Sequence, residues 1–328
     1  MPEPSPTSSR RGRLLRLGAA VAVLLAVAGY LVVQYVTGGT GAPRCEVVSG
    51  KGDGASYEFT PEQAVNAATI TAVGTTRGMP ERAVTIALAT ALQESGLRNI
   101  RHGDRDSLGL FQQRPSQGWG TRKQIMDPAY AAGEFYTHLA KVPGYSRLPL
   151  TVAAQRVQRS GYPQAYAKHE PDATLLAAAL TGRAAATLTC EGRPGATRTG
   201  GPEAVRAALV RDFGREVLQV AGAEVDAGSG AGRASPSAAP SPSSPGGGSA
   251  VTVPVPEGTT AEGSRRQRGW ALAHWAVANS SALHVAHVSY AGREWSAGRS
   301  ESEWTATGAA GPGKSATSTA EVRIVTGQ

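Results

Sequence analysis

A low-complexity tract in the second half of the chain limits where folded structure can form. Residues 226–262 are dominated by Gly, Pro, Ser and Ala, which favour flexible segments and bury little apolar surface. We therefore expect this tract to be disordered, with the folded residues on either side of it. The chain of 328 residues has an apolar content of 41%, which is sufficient for a core in at least one domain.

A second constraint is an apolar run near the N-terminus. Residues 17–36 contain no charged side chain and are about as long as a helix that crosses a bilayer. The preceding residues 1–16 form a basic tail, which the positive-inside bias retains in the cytoplasm. We expect a single-pass cell-membrane protein whose remaining residues are extracytoplasmic. The alternative is secretion after cleavage of a signal peptide, because Ala26-Val27-Ala28 is a suitable small-residue site.

The net charge of +8 does not indicate nucleic acid as a partner. Lys and Arg are spread along the chain, and no basic block is interleaved with aromatic residues. We therefore exclude nucleic-acid binding from the expected functions. Protein partners are not indicated by any feature of the sequence.

The two cysteines, Cys45 and Cys190, bracket one candidate domain. Both lie outside the cytoplasm on the expected topology, where thiols are oxidised. A disulfide between them would close a loop of roughly 145 residues, which the chain-entropy model values on the order of 4 to 5 kcal/mol. Two free thiols are the alternative.

Residues 45–190 have the periodicity of a helical domain. Thr60-Pro61-Glu62-Gln63 has the pattern of a capping box, and no strand alternation follows it, so an all-helical domain is expected. The predicted helices are residues 60–73, 81–94, 128–140, 151–160 and 171–188.

Glu94 stands at the end of a helix whose residues are nearly all apolar or small, just before Ser95 and the expected cap Gly96. Burial raises the pKa of a carboxyl group, so that an acid in such a position can donate a proton near neutrality. Glycosidic cleavage requires such a proton donor. A surface or capping role is the alternative for a single Glu near a helix end.

Two ordered segments then suggest a family. Ala91-Leu92-Gln93-Glu94-Ser95-Gly96-Leu97, followed by Ser107-Leu108-Gly109-Leu110-Phe111-Gln112, resembles the soluble lytic transglycosylase and goose-type lysozyme family. The resemblance implies a mainly α, lysozyme-like domain that cleaves the MurNAc-GlcNAc bond of peptidoglycan. It implies Glu94 as the acid/base, with Ser95 steadying it. The substrate-binding residues that follow from it are Gly109, Leu110, Phe111 and Gln112.

The third motif of that family, Tyr-Asn-Ala-Gly, is altered to Gln158-Arg159-Ser160-Gly161. The supporting Tyr is absent, and Tyr162 or Tyr166 is expected to replace it. A degenerate domain that binds peptidoglycan without cleaving it is therefore the alternative to an enzyme.

Three further residues have two interpretations each. Asp104 and Asp106 are candidates for a second carboxylate that positions water in an inverting hydrolase, or they cap the next turn. Trp119 either stacks on a sugar face or packs on its Gly-rich turn.

The sequence does not distinguish two outcomes of the reaction, which are hydrolysis and the formation of a 1,6-anhydro end.

Residues 263–328 predict a small α+β module with one helix and three short strands. Its four tryptophans form either a core or a ligand platform. The amphipathic segment 201–225 is either separate from this module or its first helix. If it is the first helix, the low-complexity tract is an internal loop of the module. No metal or cofactor is expected, because the histidines of the module lack acidic or thiol ligands at a recognisable spacing.

Overall fold

The chain separates into two units, Met1–Pro43 and Arg44–Gln328. The computed structural model describes residues 18–19, 21, 23–29, 43–160, 162–191, 200–219, 250–255, 265–298, 303–307 and 320–327. Most of the expected disordered tract lies outside these ranges. Residues 250–254 within it form a strand, which is a departure from the expectation. The alternation of Val251, Thr252 and Val253 explains it, because β-branched residues suit a half-buried strand.

The expected transmembrane helix is wrong. No helix among the described residues is long and apolar enough to cross a membrane.

Six helices and their caps make up most of the region between the cysteines. The first is α1, whose N-cap Thr60 accepts a hydrogen bond from the Gln63 amide and donates its own amide to Gln63 Oε1 at 2.8 Å, as the capping-box pattern predicts. The bounds of these helices are α1 Pro61–Thr76, α2 Glu81–Ser95, α3 Arg122–Ile125, α4 Pro128–Ala140, α5 Leu150–Gln158 and α6 Glu170–Leu180. Short 3₁₀ helices occupy Pro115–Gln117 and Pro163–His169.

Helix α2 lies at the centre of this helical region. Every residue from Ala83 to Leu92 is buried, since α1, α4, α5 and α6 all pack around it. The run of small and apolar residues has no polar face, which is typical of a helix surrounded by protein. Helix α2 reaches the surface only at its ends, and Gln93, Glu94 and Ser95 in its last turn are partly exposed.

The expectation of an all-helical domain is corrected by a small sheet. Strands β1 (Cys45–Val48), β2 (Ser56–Phe59) and β3 (Leu188–Cys190) form an antiparallel sheet in the order β2-β1-β3. Cys45 and Cys190 are directly opposite each other in this sheet and are disulfide-bonded, which confirms the predicted pairing. Strands of three or four residues are too short to show alternation in the sequence.

The C-terminal module contains a five-stranded antiparallel sheet in the order β4-β8-β5-β6-β7. Its helices are α7 (Pro202–Phe213), α8 (Arg265–Ala278) and α9 (Ser280–Leu283). The strands are β4 Ala250–Pro254, β5 Val285–Tyr290, β6 Arg293–Ser296, β7 Thr305–Ala306 and β8 Glu321–Thr326. The predicted helix and the three predicted strands of residues 263–328 are thereby confirmed.

The tryptophans of this module are core residues. Trp270, Trp275, Trp295 and Trp304 are all buried, so the platform interpretation does not hold for them. Trp304 Nε1 donates to Leu188 O of β3 at 2.9 Å, and Trp270 packs edge-on against Trp304 and Tyr290. The module therefore packs directly on the helical region, and the two form one compact unit.

Candidate active site

Glu94 occupies the last turn of α2, where the buried helix meets the surface. Gly96 ends the helix in the left-handed conformation with φ 62°, as predicted. The Glu94 side chain is partly exposed, so it remains accessible to a ligand. Its Oε1 accepts a hydrogen bond of 2.6 Å from the hydroxyl of Tyr166.

Tyr166 is the supporting tyrosine, and Tyr162 is not. Tyr166 lies on the 3₁₀ helix Pro163–His169 and is fully buried. Burial raises the pKa of its phenol well above the ordinary value, and the hydrogen bond to Glu94 adds to this, while a hydrogen bond from Ser160 acts in the opposite direction. Tyr166 therefore stays a proton donor to Glu94. Tyr162, by contrast, is 81% exposed.

Ser95 joins the end of α2 to the second family-like segment. Its hydroxyl donates to Leu110 O at 2.8 Å and to Ala91 O at 3.1 Å. The segment is a tight loop closed by paired backbone hydrogen bonds of 3.0 Å between Leu108 and Gln113. Ser95 thus positions the loop against Glu94 through the backbone.

Leu110 and Phe111 contribute backbone and core contacts to this loop. Both side chains are fully buried, and the Phe111 ring stacks on Phe135 with centroids 4.7 Å apart. Phe111 O accepts a hydrogen bond of 2.7 Å from Gln158 Nε2. A ligand could therefore meet only the backbone of these two residues.

Gly109 has a conformation that requires glycine. Its φ is 74°, and a Cβ at this position would lie 2.8 Å from the carbonyl oxygen of Ile125. Any L side chain here would both strain the backbone and displace α3.

Gln112 is held by its own loop. Ser107 Oγ donates to Gln112 Oε1 at 2.9 Å, and Gln112 Nε2 donates to Gly109 O at 3.2 Å. A Cβ on Gly103 would overlap Gln112 Oε1, so the chain passes very close to this amide. The residue keeps one amide hydrogen for a ligand.

Neither candidate second carboxylate has the contacts of a catalytic group. Asp106 accepts hydrogen bonds from Arg114 Nε, at 2.8 Å, and from the backbone amide and hydroxyl of Ser116. These contacts, the Ser116 amide first, hold the pKa of Asp106 far below its usual range. Asp104 is almost fully exposed and lies 3.9 Å from Arg105. The capping alternative fits Asp106, which fixes the 3₁₀ turn Pro115–Gln117.

Trp119 has the contacts expected of a packing residue. Its ring lies against His138, with centroids 4.1 Å apart, and it is partly buried against the core. Part of its face remains exposed.

The altered motif still contacts the site, which its sequence did not indicate. Gln158 binds Phe111 O, and Ser160 binds the hydroxyl of Tyr166. Beside Glu94, Gln93 Oε1 lies 3.2 Å from His169 Nε2. These partners come from α5 and from the turn that follows it, more than 60 residues after Glu94, so local pattern could not identify them.

A comparison with known families concerns the other end of the chain. Residues 204–318, about a third of the chain, are similar to the family model of the VldE C-terminal domain. This stretch begins within α7 and extends past β7. No curated protein matches the chain. The similarity therefore bears on the C-terminal module and not on the residues around Glu94.

Proposed function

We propose that this protein cleaves the glycan strands of peptidoglycan, with Glu94 as the acid/base. The observation that carries the proposal is the hydrogen bond of 2.6 Å between buried Tyr166 and Glu94 at the end of a buried helix. A surface or capping glutamate has no need of such a partner. The bond between Ser95 and the Leu108–Gln113 loop adds a second element beside the acid.

The two carboxyl oxygens of Glu94 have different environments. Oε1 is occupied by Tyr166, whereas Oε2 accepts no hydrogen bond from the part of the chain that the structure describes. The proton to be donated therefore resides on Oε2. It passes to the oxygen between the sugars as the bond from that oxygen to C1 of MurNAc breaks.

The carboxylate then accepts a proton from the attacking nucleophile. Water would give a reducing end, and the 6-hydroxyl of MurNAc would give a 1,6-anhydro end. In either case the proton returns to Glu94, and one acid/base residue suffices for both steps. Tyr166, which remains protonated, fixes the orientation of the carboxyl group in each step.

The reaction would take place outside the cytoplasm. The support for this location is the bond between Cys45 and Cys190, since disulfides persist in oxidising compartments and are rare in the cytosol. Peptidoglycan is found in the same compartment.

The test is a Glu94→Gln substitution assayed on purified peptidoglycan. The amide keeps the size of the side chain and accepts the Tyr166 hydrogen bond but has no proton to donate. We expect cleavage to fall by roughly 10²- to 10⁴-fold, with an unchanged melting temperature. Glu62→Gln, on the exposed first turn of α1, is the matched control and should retain full activity. Equal digestion by the wild type and Glu94→Gln would disprove the assignment.

A peptidoglycan-binding role without cleavage is the second candidate. The observation that favours it is the altered third motif, in which Gln158 stands in the place of the family's Tyr and donates to Phe111 O. If neither the wild type nor Glu94→Gln releases soluble fragments while both sediment with peptidoglycan, this second function replaces the first.

A further inference from the structure

A cavity of about 460 Å³ is lined in part by Leu108, the first residue of the Leu108–Gln113 loop that carries Gln112. It is lined by Asn99, Arg101, Leu108, Arg122 and Met126. The two arginines are exposed, whereas Leu108 is buried. An apolar side chain and two cations thus line the same cavity.

The walls of this arginine cavity are tied together by hydrogen bonds. Asn99 Nδ2 donates to Met126 O at 2.8 Å, and the Gly109 amide donates to Ile100 O at 2.7 Å. Leu108 is fixed by its backbone pairing with Gln113. The cavity is therefore preformed and shares the Leu108–Gln113 loop with the candidate active site.

The charge of the cavity is not neutralised by nearby acids. Arg101 and Arg122 form no ion pair within the described ranges of the chain. The acids in the adjacent loop have other partners: Asp106 binds Arg114 at 2.8 Å, and Asp104 lies beside Arg105. Two guanidinium groups facing one cavity, without a protein carboxylate, form a binding site for an anion.

We propose that the arginine cavity binds a carboxylate of the peptide substituents carried by the glycan, a proposal that rests on the proposed function. The sugar rings of such a glycan are uncharged, so they do not account for two arginines. The peptides that branch from the lactyl groups of the glycan end in carboxylates, which match the planar fork of arginine.

The experiment measures binding, so that its outcome is independent of cleavage. Calorimetric titrations use the full chain with Glu94→Gln, together with two soluble probes. One is a GlcNAc-MurNAc-tripeptide, and the other is GlcNAc-MurNAc whose lactyl carboxyl group is converted to a methylamide, so that it has the same sugars but no carboxylate. We expect the peptide-bearing probe to bind about fivefold more tightly, since charge-assisted pairs at an exposed site are worth on the order of 1 kcal/mol.

A pair of double variants locates the effect. Arg101→Gln/Arg122→Gln should remove the preference for the peptide-bearing probe while leaving the disaccharide affinity unchanged. Arg98→Gln/Lys123→Gln removes the same charge from exposed neighbours that do not line the cavity, and should retain the preference. Circular dichroism of each variant checks the fold.

Three results would overturn the proposal. These are equal affinities for the two probes, an undiminished preference in Arg101→Gln/Arg122→Gln, and an equal loss in the control pair, which would indicate a general charge effect. Tighter binding of a glycerol-phosphate polymer than of the tripeptide probe would assign the cavity to phosphodiesters instead. These binding measurements can be interpreted even if the protein does not cleave peptidoglycan, because every titration uses the Glu94→Gln chain.

Discussion

At the scale of single residues, the chemistry of the candidate site depends on a contact between two distant parts of the chain. Glu94 is fixed in space by α2, and Tyr166 is fixed by a 3₁₀ helix that follows the altered motif. The Tyr166 hydroxyl group joins the two residues, and no other described residue donates a hydrogen bond to Glu94 Oε1. Removal of that single oxygen atom should therefore affect catalysis more than stability.

A Tyr166→Phe substitution tests this dependence. The ring stays in its buried site, but Glu94 Oε1 loses its donor and the carboxyl group gains rotational freedom. We expect kcat to fall about tenfold or more, with KM little changed, because misorientation of a catalytic group affects mainly the chemical step. Release of soluble fragments from peptidoglycan measures the rate.

Tyr145→Phe is the matched control, since Tyr145 is partly buried in a loop and does not contact Glu94. It should have the activity of the wild type. A Tyr166→Phe variant that is as active as this control would show that the hydrogen bond has no role in the reaction.

The sequence predicted the end of α2 in this site, but it did not predict the contacts made by residues from other parts of the chain. The position of Glu94, Ser95 and Gly96 at a helix end could be predicted because an apolar helix ending in glycine is a local signal, whereas the roles of Glu94 and Ser95 follow from the family resemblance. The choice between Tyr162 and Tyr166 could not be made, because it depends on which ring the turn after α5 directs inward. The same holds for Asp106, whose role is set by contacts with Arg114 and Ser116.

At the scale of elements, the disulfide joins the first strand of the helical region to the last. Cys45 in β1 and Cys190 in β3 are register partners, and 145 residues of sequence separate them. The helices α1 to α6 all lie within this covalent loop. The bond therefore restricts the unfolded chain far more than the folded one.

Reduction of this disulfide should destabilise the protein by on the order of 4 to 5 kcal/mol, the value of the chain-entropy model for a loop of this length. Urea unfolding of the oxidised wild type, the reduced wild type and Cys45→Ser/Cys190→Ser measures it. The reduced protein and the double variant should have the same lower midpoint. Identical midpoints with and without reductant would contradict the prediction.

Local signals at the ends of the helices explain which of their bounds the sequence predicted correctly. Helices α2 and α4 were predicted to within a residue, because each has a proline or a capping signal at its start. The last helix of the region was predicted to extend to residue 188, but it ends at Leu180, and the chain then turns into β3. Gly182 follows the end of the helix with a φ of 78°, the left-handed conformation that commonly stops a helix, and Leu188–Cys190 then pair with β1.

At the scale of the whole molecule, buried polar groups connect the helical region with the C-terminal module. His274 of α8 is completely buried: its Nδ1 donates to Ala179 O at 2.7 Å, and its Nε2 accepts from the Thr187 amide at 3.2 Å. Buried Asp212 accepts hydrogen bonds from Thr69 and from Trp275 Nε1. Neither network was apparent in the sequence, since each joins residues more than 60 positions apart.

His274 should make the stability of the protein depend on pH. Burial lowers its pKa from 6.5 to about 4. Between these values the unfolded chain binds a proton that the folded protein does not, so stability is complete above pH 6.5 and declines as pH falls towards 4. The total loss is about 3 kcal/mol from this residue.

Urea midpoints measured between pH 7.5 and 4 test this dependence. His274→Asn has no titrating ring but can still donate to Ala179 O, so it should be less stable at neutral pH and have a smaller decline in acid. His102→Gln, on an exposed loop, should decline as the wild type does. A decline that is unchanged in His274→Asn would assign the pH dependence to other groups.

The strand order of the C-terminal sheet determines when this protein can finish folding. Among the described strands, β8 follows all the others in sequence, yet it lies between β4 and β5 rather than at an edge. β4 and β5 are not neighbours in the sheet, so β4 cannot join β5 to β7 until β8 has been synthesised and is in place. A truncation before residue 320 would leave a sheet divided in two.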